Sequence, residues 1–200
     1  SDAYMNLLNS VIAAARFRAG ESIICMHATI NDTYNFLLRG NKARKMHTER
    51  RDAFRPINIK PLAKVYHDGK IEKIIEPISP SEKTEIDTKV DDNVRILLTY
   101  PGFNGDAVNF YIKEKVHGLV IAGTGFGNIP IGIDEVYQSM KKLSDANIPV
   151  VITSQTIYGR TNKFVYSTLR RMSRFDNIIY VEDMLTETAY VKLMFALGHW

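Results

Sequence analysis

Three stretches of this sequence hold residue types able to do chemistry. The first is Gly123-Thr124-Gly125-Phe126-Gly127-Asn128. It follows an apolar run and precedes a helical pattern, the place of a phosphate-cradling loop. Its spacing is G-x-G-x-G, however, and Ile129-Pro130-Ile131-Gly132 delays the helix. No acidic residue ends a following strand, so a dinucleotide site is not expected. A tight turn at the carboxyl end of a strand remains, able to line a crevice with backbone amides. The second stretch is basic: Lys42, Arg44, Lys45, His47, Arg50, Arg51 and Arg55. It reads as a solvated face, as a polyanion-binding loop, or as the seat of one chemical lysine that moves a proton at a hydroxyl. The residues alone do not choose among the lysines. The third is the hydroxyl- and amide-rich run from Ser154 through Tyr158, Arg160 and Thr161 to Asn162. It too follows a strand, so it shares a sheet edge with the glycine loop, where ligand contacts gather. A polar loop that satisfies its own backbone is the competing reading.

Other chemistries are disfavoured. His27, His47, His67, His117 and His199 do not pair at metal-ligand spacing, so no metal site is expected. There is no G-x-S-x-G elbow. The single cysteine, Cys25, sits in the run Ile23-Ile24-Cys25-Met26 and reads as a buried small hydrophobe. One cysteine permits no internal disulfide, which fits a reducing cytoplasm. The uncharged stretch Ile121 to Ile133 is broken by glycine and proline, so no membrane span is expected. The start, Ser1-Asp2-Ala3-Tyr4, carries neither a basic nor an apolar leader pattern. With 26 basic and 22 acidic residues, the net charge of +4 permits a nucleic-acid partner without arguing for one.

The elements that must position these residues follow from periodicity. Tyr4, Leu7, Leu8, Val11 and Ile12 recur at helical spacing over Ser1 to Ala19, with Gly20 as the stop. Glu21 to Ala28 is nearly all apolar, which predicts a strand buried on both faces. Tyr34 to Leu38 is a second strand. Arg39 to Arg55 lacks periodicity and reads as an extended loop. Ala63 to Tyr66 and Lys70 to Ile75 flank His67-Asp68-Gly69 as a hairpin. Glu76 to Asp92, with Pro77 and Pro80 among carboxylates, reads as a linker. It divides the chain into residues 1–75 and 93–200. Beyond it, strands at Val94–Thr99, Gly118–Ala122, Pro149–Thr153 and Ile178–Val181 alternate with helices at Asp106–Lys115, Asp134–Ala146, Val165–Arg174 and Glu187–Leu197. That alternation predicts a small three-layer α/β domain with a parallel sheet covered on both faces.

Lys45-Met46-His47-Thr48, Arg51-Asp52-Ala53-Phe54-Arg55, Asn58 and Pro61-Leu62-Ala63 together resemble the central segment of L-asparaginase-type amidohydrolases. The glycine loop ending at Asn128 resembles that family's second-domain loop. Thr153 to Arg160, Val165-Tyr166-Ser167-Thr168, Glu182-Asp183-Met184-Leu185 and Glu187 to Leu193 are most similar to one branch, the D subunits of archaeal glutamyl-tRNA(Gln) amidotransferases. The resemblance runs from Ser1 to His199. It implies two asparaginase-like α/β domains, the N-terminal one incomplete here. It implies hydrolysis of a side-chain amide, that of glutamine or asparagine: a threonine hydroxyl attacks, ammonia leaves and water resolves the acyl-enzyme. The family's catalytic lysine falls on Lys45. Both of its threonines and its aspartate belong to T-G-G-T and H-G-T-D-T motifs, and neither string occurs in these 200 residues. The resemblance places them upstream of Ser1, so this stretch alone is expected to be inactive.

In the tRNA-dependent branch the ammonia passes to an E subunit, which handles the tRNA and uses ATP and Mg. No cofactor is expected on this chain, and a cytoplasmic location is implied. The resemblance also implies a homodimer in which Gly125, Asn128, Tyr158 and Arg160 serve as substrate or subunit-interface residues. Two other functions stand beside it: a free-standing type I L-asparaginase, and a non-catalytic interaction module.

Overall fold

The computed structural model describes residues 2–83 and 85–200. They form two compact units, Ser1–Ile86 and Asp87–Trp200. None of the described helices is long and apolar enough to cross a membrane.

In the first unit, helix α1 (Asp2–Arg16) is followed by strands β1 (Ile23–His27) and β2 (Asn35–Arg39). A 3₁₀ turn (Gly40–Lys42) leads into a ribbon of β3 (Ala43–Lys45) and β4 (Phe54–Pro56), and a hairpin of β5 (Ala63–Val65) and β6 (Ile71–Lys73) closes the unit. The main sheet has the order β1-β2-β5-β6 and is antiparallel throughout. Helix α1 lies across β1, β2 and β5. Ala13, Leu37, Leu62, Ala63 and Val65 form the buried core beneath it.

Three expectations change here. Strand β1 is not buried on both faces. It is an edge strand, and Ile23 to Met26 are only half-buried. An antiparallel sheet can leave one face to solvent, so a continuous apolar run does not require two covers. The helix stops at Arg16, short of Gly20, and Ser1 lies outside the described residues. Its inward face is also only partly the apolar stripe, from which Ile12 packs against the core. Tyr4, Leu7 and Val11 are exposed, whereas Asn9 and Ala13 are buried. Finally, the basic segment is no loose loop. Its two ends pair as β3 and β4, with Ala43 opposite Pro56, Arg44 opposite Arg55 and Lys45 opposite Phe54.

The second unit is regular. Its elements are β7 (Val94–Leu98), α2 (Asp106–Lys113), β8 (Gly118–Gly123), α3 (Asp134–Asp145), β9 (Val150–Ser154), α4 (Ser167–Met172), β10 (Ile178–Tyr180) and α5 (Thr186–Gly198). The sheet order is β10-β9-β8-β7, all parallel. Strand β8 is buried along its whole length. Because side chains alternate across a strand, Leu119 and Ile121 join one core with Val108, Val136, Met140 and Leu143. Val120 joins the other, with Val94, Val151, Ala189 and Leu193. Helix α5 therefore covers one face and α2 and α3 the other, the expected three layers. Helix α4 is shorter than its sequence pattern suggested. Among the described residues, 74–93 hold no helix or strand.

Candidate functional site

Lys45 closes strand β3 and is exposed. With Met46, His47 and Thr48 it lines a shallow concavity of about 330 Å³. It stands on the two-stranded ribbon, apart from the main antiparallel sheet.

The turn beyond Lys45 is held by its own groups. The Met46 amide donates to the Ala53 carbonyl at 2.7 Å, and the Ala53 amide to the Arg50 carbonyl at 3.1 Å. The His47 Nδ1 accepts from the Glu49 and Arg50 amides, each at 3.1 Å. That nitrogen therefore carries no proton. Asp52 is the buried charge of the turn, 4% exposed. The Arg50 guanidinium grips it with two hydrogen bonds of 2.8 Å, and Arg55 bonds the second oxygen. The Arg50 bond is the largest influence holding the Asp52 carboxyl below the usual carboxylate range, and the charge of Arg55 adds to it against the cost of burial. Arg55 also donates to the Ala28 carbonyl at 3.0 Å, and Arg51 to Asp32 at 2.9 Å. The basic run is thus partly an internal clamp, which tethers the turn to residues 28–32.

In the second unit the structure brings Gly125, Asn128 and the Ser154 loop together. Gly123 ends β8 so close to the returning chain that a Cβ would stand 2.5 Å from the Gly127 carbonyl carbon. Gly125 and Gly127 take positive φ angles of 50° and 95°. The resulting turn uses its own amides: Thr124 donates to Asn128, and Gly127 and Asn128 both donate to Thr124. Those three amides are not free to cradle a phosphate, so the crevice lined by backbone amides is only partly available. The Ser154 hydroxyl donates to the Gly125 carbonyl at 2.6 Å and accepts from the Thr156 amide. The Asn162 amide donates to the Phe126 carbonyl at 3.1 Å. The two loops are one knitted surface at the carboxyl ends of β8 and β9.

Asn128 lines a pocket of about 390 Å³ with Thr99, Tyr100, Thr124 and Thr168. Arg160 lines a different one, of about 420 Å³, with Asn162, Tyr180 and Glu182. Tyr158 is exposed. Arg160 pairs with Glu182 of the same unit, at 3.4 Å, and both side chains are largely solvated. Arg160 is therefore not a buried ion-pair donor within this chain.

One residue of the polar run has an organising role that the sequence reading did not assign. Gln155 Nε2 donates to the Thr99 carbonyl at 2.6 Å and to the Ala122 carbonyl at 2.8 Å, tying together the ends of β7, β8 and β9. Nothing in its neighbourhood along the chain announces this role, because its partners lie 56 and 33 residues away.

A covered parallel sheet with a glycine turn at its carboxyl edge, and a separate unit bearing the lysine ribbon, define the class. The chain belongs to the glutaminase/asparaginase family: the model "Asparaginase, N-terminal" matches residues 1–78, and "Glutaminase/Asparaginase C-terminal domain" matches residues 93–200. Within it, the chain is 44% identical over its whole length to the D subunit of the Pyrococcus horikoshii glutamyl-tRNA(Gln) amidotransferase, covering 45% of that protein. It is 42% identical to the D subunit of the Methanobrevibacter smithii enzyme, with 99% of this chain and 45% of that protein aligned. The thermostable L-asparaginase of Thermococcus kodakarensis has a similar structure, with a TM-score of 0.87 at 26% identity, covering 100% of this chain and 57% of that one. L-asparaginase I of Vibrio cholerae gives 0.83 at 25%, covering 99% and 57%. The chain spans less than half the length of the curated relatives it matches.

Proposed function

We propose that this chain is part of the glutamine-hydrolysing, ammonia-supplying subunit of a tRNA-dependent amidotransferase that converts Glu-tRNA(Gln) to Gln-tRNA(Gln). The observation that carries the reading is identity of 41–44% across the chain to proteins named as D subunits of that enzyme. The N-terminal ribbon suits the role. It carries the Lys45 amine beside a shallow concavity, on a turn stiffened by the Asp52 clamp.

In this reading a threonine hydroxyl from outside these 200 residues attacks the carboxamide carbon of glutamine. Lys45 moves the hydroxyl proton toward the leaving nitrogen, ammonia departs, and water then cleaves the acyl ester to release glutamate. The ammonia passes to an E subunit, which uses ATP and Mg and contacts the tRNA. The ammonia-supplying protein works as a homodimer, with the Gly125, Asn128, Tyr158 and Arg160 surface turned toward a neighbour. The likeness to L-asparaginase structures supports a second reading, a free-standing asparaginase.

The test is kinetic and uses the whole protein. Glutamine hydrolysis stimulated by the E subunit and Glu-tRNA(Gln) supports the proposal. Its loss in Lys45→Ala assigns the lysine. Faster turnover of asparagine, unaffected by the E subunit, would favour the second reading.

A further inference from the structure

His27 lies at the end of β1 and is fully buried. Both of its ring nitrogens are in hydrogen-bond contact. Nδ1 is 2.7 Å from Asn6 Oδ1, and Nε2 is 2.9 Å from Asp32 Oδ1. A neutral imidazole carries a proton on only one of the two, so the character of each neighbour decides the state of the ring.

An amide's oxygen and nitrogen exchange places by a half-turn, so Asn6 must be fixed by something that cannot turn. The backbone carbonyl of Val65 is such a group. Asn9 Nδ2 lies 3.3 Å from it and must be the donor. The same Asn9 nitrogen is 2.9 Å from Asn35 Oδ1, which must then accept. The other end of Asn35 is therefore its amide nitrogen, and that nitrogen donates to Asn6 Oδ1 at 2.7 Å. The atom that Asn6 turns to His27 is an acceptor. Turning any one of the three amides over would set donor against donor or oxygen against oxygen.

On the other side the acceptor is a carboxylate. Asp32 also receives Arg51 Nη1 on the same oxygen at 2.9 Å. The His27 hydrogen bond, with Arg51 beside it, holds the Asp32 carboxyl below the usual carboxylate range. Asp32 is therefore ionised and cannot supply the proton between them.

Both ring nitrogens face acceptors. We infer that His27 is a buried, doubly protonated imidazolium, and that through Asp32 and Arg51 it is a positioning residue for the turn that presents Lys45. The route is continuous within the first unit. His27 orients Asp32, Asp32 holds Arg51, and Arg51 precedes strand β4, whose Phe54 pairs with Lys45. Arg55 makes a parallel tether to the Ala28 carbonyl, one residue after His27. Loss of the Nδ1 proton would set a lone pair against Asn6 Oδ1, and loss of the Nε2 proton would set one against Asp32 and release it. Among the described residues, the ionisable groups in contact with the ring or with its partners are Asp32 on Nε2, Arg51 on Asp32, and the Cys25 thiol on Asn35. Burial pushes that thiol up, so it stays neutral.

The positioning role rests on the proposed amide hydrolysis, whereas the protonation state does not. The whole protein with ¹⁵N-labelled histidine is examined by NMR at neutral pH, and the His27 signals are those that vanish in His27→Gln and shift in Asp32→Asn. Protons on both ring nitrogens are expected. A ring with one bare nitrogen overturns the assignment. Asp32 is more than half exposed, so Asp32→Asn is expected to fold even if His27→Gln does not. In glutamine hydrolysis, Asp32→Asn should lower kcat about tenfold with KM changed by less than about twofold. The alkaline limb of its kcat profile should move to lower pH, because a neutral amide holds the ring proton less well. An unchanged profile overturns the positioning role. If Lys45→Ala keeps full turnover, the functional reading fails, yet the NMR result still decides the state of His27.

Discussion

The two units hold themselves together by different means. The second buries a parallel sheet between helices, and β8 is inaccessible from end to end. Its cohesion is apolar: Leu119, Ile121, Val136, Met140 and Leu143 on one face, Val120, Val151 and Leu193 on the other. The first unit has one helix over an antiparallel sheet and a smaller apolar core. There the remaining order comes from directional contacts: the Asn9–Asn35–Asn6–His27 relay, the Asp32–Arg51 pair and the clamp on Asp52. Apolar burial is non-directional and tolerates small movement, whereas hydrogen-bonded charge fixes a few atoms at stated distances. The unit that carries Lys45 is the one built on directional contacts, and the unit that carries the glycine turn and the Ser154 loop rests on a dry core.

This contrast can be broken at several points. The largest effect should come from the parallel sheet. Ile121→Ala removes a fully buried side chain and should cost about 4 kcal/mol, against about 1–2 kcal/mol for Ile23→Ala on the half-exposed edge strand. Urea denaturation of both variants checks this, and equal costs would erase the distinction.

Next comes the charge clamp. Asp52→Asn should cost about 2 kcal/mol, less than a fully enclosed pair would, since Arg50 and Arg55 are partly solvated. Its pH dependence has a definite sign. The folded-state value of Asp52 is depressed, so its stabilisation is complete above the ordinary carboxylate value of about 4 and is lost as pH falls through the lower folded value. Wild type and Asp52→Asn should therefore converge in stability toward acid. Divergence there would mean that the clamp is not electrostatic.

A smaller effect is expected at the Gln155 bracket of the second unit. Gln155→Leu leaves the Thr99 and Ala122 carbonyls without their side-chain donor, at about 1–2 kcal/mol. Hydrogen exchange should quicken at the Thr124–Asn128 turn while the β8 amides stay protected. The smallest change in stability belongs to Arg160→Ala, within about 0.5 kcal/mol, because its pair with Glu182 is solvated. If the proposed dimer surface is correct, the same variant nonetheless weakens dimerisation and glutamine hydrolysis in the whole protein, as sedimentation and kinetics would show.

The candidate site was legible to very different degrees. Lys45 stood out only through the motif around it, since a basic run offers many lysines and exposure is not written in the chain. The ribbon that carries it was missed because a long turn separates its two short strands, without a tight-turn signal such as the His67-Asp68-Gly69 that announced β5 and β6. The glycine turn was legible as a turn. That its amides are spent internally, on Thr124 and Asn128, was not, because this depends on the chain folding back on itself.

Local pattern sufficed for the architecture of residues 93–200. A strand buried on both faces must be apolar at every position, and its helices must carry one apolar face, so each element declares its surroundings in its own residues. The first unit could not be read in this way. Of the apolar stripe, Tyr4, Leu7 and Val11 face outward and Ile12 faces the core, while α1 also turns Asn9 to the sheet. There Asn35 and the Val65 carbonyl, 26 and 56 residues away, meet its amide nitrogen, while its buried oxygen has no partner among the described residues. The same holds for His27: buried polar groups are tolerated best where the fold supplies their partners, and those partners, not the residue itself, set the protonation state. Apolar periodicity is a property of one segment and travels with the sequence. The satisfaction of a buried polar group belongs to several segments at once, and only the tertiary structure decides it.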